Sequence, residues 1–148
     1  MSALTAPVVE PLYDHAAVEK ARLVNQARAR LLRSHGAVTF EMIADATGRR
    51  PDAVRQWVNR RVRAHRMVTV THDGVTLTPS FQLTDAFEED RAVGDVVVRL
   101  VDAGMSGWAV WDWFVTPNTW LDADTPAEVL RAGGADAVDR AVAGMLQE

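Results

Sequence analysis

The sequence predicts a mainly α-helical fold: a winged helix-turn-helix lobe with a short β-hairpin, followed by a small C-terminal helical lobe. Three observations predict it. Apolar residues recur at three- and four-residue spacing through most of the 148-residue chain, as expected of helices that bury one face. Two short β-branched runs, residues 67–71 and 75–78, bracket His72, Asp73 and Gly74, and Asp-Gly between such runs is a strong hairpin signal. Residues 40–59 fit the requirements of a helix-turn-helix. Ala44 is small enough for close helix packing, Gly48 can take the positive φ of the turn, and Ile43, Val54 and Trp57 supply the apolar anchors.

Each element has its own local justification. Residues 1–14 read as a loose arm, with Pro7 and Pro11 and no helical period. Val18, Ala21, Val24 and Leu31 mark a helix over 15–35, and Gly36 is placed to end it. Thr39 is a suitable N-cap for a short helix through Ala46. Residues 47–50 form the turn, and Pro51 opens a helix to about His65. The hairpin follows, then a connector from Pro79 through residues 80–87. The acids at 88–90 favour a helix start through the helix dipole. Val93, Val96, Val97, Leu100 and Val101 give that helix its apolar stripe, and Gly104 stops it. Ser106 caps a helix to about Val115, and Thr116, Pro117 and Asn118 turn the chain. Thr125 and Glu128 form a capping box with Pro126 at the first helical position. This helix ends near Arg131 at Gly133 and Gly134. Asp136 starts the last helix, with Val138, Val142, Met145 and Leu146 expected inward. The organisation predicted is an arm at 1–14, a winged helix-turn-helix domain at 15–80 and a helical domain at 88–148.

Charge is distributed unevenly. Between Lys20 and Arg66, twelve basic residues stand against three acidic ones, a net +9. From Asp73 onward, four arginines stand against fourteen acids, a net −10. The whole-chain net of −4 therefore hides a dipole whose basic part suits a polyanion. The absence of cysteine excludes disulfides and thiolate metal sites. No apolar run reaches the roughly 18–20 residues of a membrane span, and residues 1–11 lack the pattern of a signal peptide. The expectation is a cytoplasmic protein with no membrane association.

Enzymatic chemistry is not expected. His15, His35, His65 and His72 have neither ligand nor triad spacing, and no phosphate-binding loop or zinc-helix motif is present. No cofactor and no metal site are predicted. Asp112, beside Trp113, is the one carboxylate singled out as a candidate for burial, in a structural role.

The helix opened by Pro51 carries the functional signal. With Val54, Trp57, Val58 and Val62 inward, its opposite face presents Asp52, Arg55, Gln56, Asn59, Arg60 and Arg63. Arginine can bond guanine in bidentate fashion, and glutamine and asparagine can do so to adenine. Arg49 and Arg50 stand at the helix N-terminus, where backbone N–H groups also face a phosphate. The hairpin would act as a wing, with Arg66 near the DNA backbone. The predicted DNA-binding residues are thus Arg49, Arg50, Arg55, Gln56, Asn59, Arg60, Arg63 and Arg66, and the predicted ligand is double-stranded DNA. The plainer alternative is a protein-binding winged helix with a solvated arginine face.

Four of the five tryptophans, Trp108, Trp111, Trp113 and Trp120, fall within thirteen residues. A small helical lobe needs bulky fillers, so most belong to the core, Trp111 first among them. Clustered aromatics also anchor interfaces, and Trp113 and Trp120 are the partner-binding candidates.

The C-terminal motifs resemble a known family. The stretch Trp113-Phe114-Val115-Thr116-Pro117-Asn118, then Trp120-Leu121-Asp122, then Thr125-Pro126-Ala127-Glu128-Val129-Leu130-Arg131, then Asp136-Ala137-Val138 is similar to the toxin-binding domain of actinobacterial proteins of the Xre/MbcA/ParS type. The resemblance covers about residues 37–147. It implies an antitoxin-like transcriptional regulator whose N-terminal lobe holds DNA and whose C-terminal lobe holds a RES-type, NAD-consuming toxin. Family members of this layout also include solitary DNA-binding proteins. The chain departs from the family at Asp122, Ala123 and Asp124, where relatives carry a glycine-rich turn. Two classes stand at this point, a sequence-specific DNA-binding regulator and an adaptor binding protein through both lobes; a solitary nucleoid-type DNA-binding protein without a toxin is a further alternative. Repressors with this motif usually bind palindromes as dimers, so a homo-oligomer is expected.

Overall fold

The computed structural model describes residues 15–34 and 36–147. Seven α-helices and a three-stranded antiparallel sheet are found among them. In chain order these are α1 (His15–Ser34), β1 (Ala37–Val38), α2 (Phe40–Thr47), α3 (Pro51–Arg63), β2 (Val70–His72), β3 (Val75–Pro79), α4 (Arg91–Asp102), α5 (Gly107–Val115), α6 (Pro126–Arg131) and α7 (Ala135–Leu146). Short 3₁₀ turns occur at Ser80–Gln82 and Thr119–Leu121. The mainly α fold with a short hairpin is the one the sequence predicts. The arm at 1–14 lies outside the described residues.

The chain forms two compact units, divided after Ser34. The first contains α1, a twenty-residue helix whose Val18 and Leu23 are exposed and whose Arg22 pairs with Glu19 one turn away. The second runs through the winged motif and all the C-terminal helices. The connector at residues 80–87 lies within this second unit.

Local signals produce most of these elements. Thr39 Oγ1 accepts the Met42 N–H (3.1 Å), Ser106 Oγ that of Ala109 (3.2 Å), and Thr125 Oγ1 that of Glu128 (3.1 Å), each satisfying an otherwise unpaired first-turn donor. Asp73 and Gly74 both have positive φ, 51° and 77°, and His72 pairs with Val75. That is a two-residue hairpin loop of the type whose twist matches the strands. The third strand, β1, was not expected from sequence. Its two residues pair as Ala37 with Pro79 and Val38 with Thr78, too short a run to show a period.

Two details at helix ends differ from expectation. Of the acids at 88–90, only Asp90 acts on the helix start, as the N-cap of α4, accepting from Val93 N–H at 3.2 Å. The last helix begins at Ala135 without a side-chain cap, and Asp136 sits inside its first turn. Val138 and Val142 are buried, but Leu146 is exposed rather than inward and Met145 is half-buried. The helix ends at Leu146, where its side chain is left in solvent.

The second unit buries one cluster around the α2–α3 pair and further apolar side chains among the C-terminal helices. Ile43, Ala44, Val54, Trp57, Val58, Met67 and Leu83 pack together, flanked by Val38, Phe40, Val62 and Phe87. Val96, Val97, Leu100, Val110, Trp111, Phe114, Val138 and Val142 are buried between the C-terminal helices. The connector joins the two regions. Phe81 stacks on Phe114 with ring centroids 4.4 Å apart. Gln82, 1% exposed, accepts the Val68 N–H at 2.7 Å and donates to the Val68 and Pro79 carbonyls at 2.9 and 3.2 Å. One buried side chain thus substitutes for a strand partner where the chain leaves α3.

Two stability predictions follow from this packing. Gln82→Leu leaves the buried Val68 N–H and C=O unpaired and is expected to cost about 2–4 kcal/mol in chemical denaturation. Asp122 and Ala123 both have positive φ, 55° and 69°, in the turn that follows the 3₁₀ segment Thr119–Leu121. The left-handed conformation costs alanine roughly 1–2 kcal/mol, part of which is offset by its lower unfolded-state entropy. Ala123→Gly is therefore expected to raise stability by about 0.5–1 kcal/mol, read as a higher Tm.

Candidate nucleic-acid interface

The helix pair α2–α3 is set by the turn between them. Gly48 has φ 75° and donates its N–H to Ala44 O at 2.8 Å. Pro51 then opens α3 with its φ already helical. Val54, Trp57 and Val58 are buried, so the helical period turns Asp52, Arg55, Gln56, Asn59, Arg60 and Arg63 outward, and all six are exposed. Arg55 approaches Asp52 only at 3.9 Å, with both side chains more than half exposed, a pair of little energetic weight. Gln56, Asn59, Arg60 and Arg63 make no side-chain hydrogen bond or ion pair among the described residues. Arg50 is exposed at the N-cap of α3, whose first turn has no side-chain cap.

Two of the eight predicted residues are placed differently. The Arg49 guanidinium lies 5.0 Å from the Trp57 ring centroid and reaches Thr47 Oγ1 at 3.3 Å and the Phe87 carbonyl at 3.4 Å. It fastens the turn. Arg66, expected at the wing, instead crosses to α4. It donates to Asp95 at 2.9 Å, to Glu89 at 3.1 Å and to the Arg91 carbonyl at 3.3 Å. The hydrogen bonds it donates to Asp95 first, then to Glu89, raise its pKa above the ordinary guanidinium value. Gly94 makes room for this approach, since a Cβ there would come within 2.7 Å of the Arg66 guanidinium.

Glu89 is the residue that sequence reasoning missed. Its side chain is 13% exposed, with Oε1 3.0 Å from Arg61 Nε and Oε2 3.0 Å from Arg66. The Arg61 contact is close without hydrogen-bond alignment. Arg61 in turn lies 4.5 Å from the Trp57 centroid, so Trp57 carries two guanidinium groups. Nothing in the spacing of 61, 66 and 89 announces this meeting; the acidic run at 88–90 was the available signal, and the helix dipole accounted for it equally well. The end of α3 is also unexpected. His65 takes φ 61°, with its N–H on Val62 O and that of Arg66 on Arg61 O. This is a Schellman closure with histidine in the place glycine usually holds. The His65 ring meets Asp102 on α4 at 2.6 Å.

The aromatic cluster divides. Trp111 is fully buried, as expected, with Trp108 stacked on it at 5.7 Å. Trp113 is half-buried, edge-on to Phe114 at 5.1 Å, and lines a cleft of about 310 Å³ with Met105, Ala109 and Pro117. Trp120 is 60% exposed and rests on α7 at Gly144, where a Cβ would come within 2.6 Å of the indole. Asp112 is exposed, not buried, and accepts from Thr116 Oγ1 at 3.2 Å, because the helical turn of about 100° per residue carries it off the buried side that holds Trp111. Among the described residues no group of side chains is arranged to hold a metal ion, and no helix is long and apolar enough to cross a membrane.

No family model matches the chain, and no curated protein matches it. Among solved structures the chain is similar to the NMR structure of Rv2175c, with a TM-score of 0.59 and 21% identity over 74% of this chain and 81% of that one. At that identity the likeness is one of fold.

Trp57 joins the α2–α3 core to the two flanking guanidiniums. Trp57→Ala is expected to lower stability by about 3–5 kcal/mol, measured by urea denaturation, because it removes a buried ring and the surface on which Arg49 and Arg61 lie.

Proposed function

We propose that the protein is a sequence-specific regulator that binds double-stranded DNA through the outward face of α3. The observation that carries this reading is the state of that face. Arg55, Gln56, Asn59, Arg60 and Arg63 are all exposed, and four of the five have no side-chain hydrogen bond or ion pair among the described residues. Side chains of these types, projecting from one helix of a helix-turn-helix, can form paired hydrogen bonds to base edges in a major groove. Arg50, at the uncapped start of α3, is suited to a phosphate there. The direct contacts are assigned to Arg50, Arg55, Gln56, Asn59, Arg60 and Arg63, with Arg49 and Arg66 holding α3 in place.

The C-terminal lobe is proposed as a protein-binding face, with Trp120 its exposed aromatic and Trp113 at the neighbouring cleft. Taken with the resemblance of residues 113–138 to antitoxin domains, a RES-type toxin is the proposed partner, and a palindromic operator bound by a homodimer is the proposed mode. The adaptor reading differs in its prediction for salt. A DNA binder loses affinity steeply as salt rises, by about 0.9 log units per log unit of salt for each phosphate contact.

The test is a mobility-shift titration against the DNA upstream of the protein's own gene, at two salt concentrations with competitor. Specific, salt-sensitive binding is expected, and absence of binding at both salts would favour the adaptor. Arg55→Ala and Asn59→Ala are each expected to cost about 1–3 kcal/mol and to relax preference at single operator positions. Unchanged operator affinity in both variants would remove α3 as the reading element.

A further inference from the structure

We infer that Glu89 is a specificity-determining residue of this DNA-binding surface: it withholds Arg61 and Arg66 from phosphate, limiting the charge available for sequence-independent binding. The inference rests on the DNA-binding reading above. At the C-terminal end of α3 a cleft of about 790 Å³ is lined by Arg60, Arg61, Arg66 and Arg91 together with Glu88, Glu89 and Asp95. Two of the four guanidiniums in this cleft are occupied. Glu89 contacts both Arg61 and Arg66 at 3.0 Å, and Asp95 holds the far side of Arg66 at 2.9 Å. The Glu89 carboxylate is mostly buried at 13% exposure, so its pairs are less screened by solvent than surface pairs. Among the described residues, Arg60 and Arg63 on the adjoining outward face have no such partner.

The consequence concerns the balance between two kinds of binding. Phosphate contacts supply sequence-independent affinity, while base contacts supply discrimination. An α3 with every nearby arginine available would grip any duplex. With Glu89 in place, the contact set is biased toward the residues that face bases. Arg61 and Arg66 then contribute to the position of α3 through Trp57 and α4 rather than to affinity.

The experiment is an anisotropy titration of a random-sequence duplex with the full chain over a series of NaCl concentrations. The variants are Glu89→Gln, Glu88→Gln and Arg66→Gln. Glu89→Gln and Glu88→Gln change net charge equally, and Glu88 is an exposed carboxylate of the same cleft. Release of one arginine is expected to steepen the salt dependence by about 0.9 and to raise affinity several-fold at low salt, in Glu89→Gln and not in Glu88→Gln. Equal slopes for the two would overturn the inference. Arg66→Gln supplies an independent arm should Glu89→Gln fail to fold. A withheld Arg66 leaves the slope unchanged on removal, whereas an Arg66 already on phosphate flattens it by about 0.9. That flattening would overturn the inference while leaving DNA binding intact. If the unmodified protein binds no duplex at any salt, the DNA reading itself fails, and this inference with it.

Discussion

The arrangement of the second unit depends on one mostly buried carboxylate, that of Glu89, set between Arg61 and Arg66. Removing charged groups from water is costly unless each finds its partners. Here every member of the group has a second attachment. Arg61 lies over Trp57, Arg66 reaches Asp95 and the Arg91 carbonyl, and Glu89 itself is fixed by the bridge its backbone makes with Leu83. The network joins the end of α3 to the start of α4 and so fixes how the exposed face of α3 is carried. Gly94 is the concession the helix makes to it: glycine within a helix costs about 1 kcal/mol relative to alanine, and a side chain there would strike Arg66.

A second, uncharged connection runs beside the first. Gln82 closes the chain's exit from α3 with three buried hydrogen bonds, and Phe81 next to it stacks on Phe114 of α5. Polar groups satisfied in a low-dielectric interior hold geometry firmly. The segment that looked like a linker is therefore the part of the chain in which the winged motif and the helical bundle are built into one body.

Much of this was legible from the sequence because it is local. The caps at Thr39, Ser106 and Thr125, the left-handed Gly48, the Asp73-Gly74 turn and the first-position prolines each act within four residues, and the structure realises them. The outward face of α3 was legible for the same reason: helical period alone separates Val54, Trp57 and Val58 from Arg55, Gln56 and Asn59. What was not legible was which arginines are engaged. Arg49 and Arg66 look like Arg50 and Arg63 as letters, and the Phe87 carbonyl that Arg49 reaches and the groups that hold Arg66 stand 38 and 23 or more residues away.

The sequence by itself determined the helices, the hairpin, the outward face of α3 and the opposed charges of the two halves of the chain, since these follow from periodicity, turn chemistry and composition. Tertiary structure alone decided three things: that β1 joins the hairpin as a third strand, that Leu146 and Asp112 are exposed, and that Glu89 draws Arg61 and Arg66 inward. Each depends on which distant residue arrives alongside. A strand of two residues has no period to read, and a charged group takes its role from the charge that packs against it.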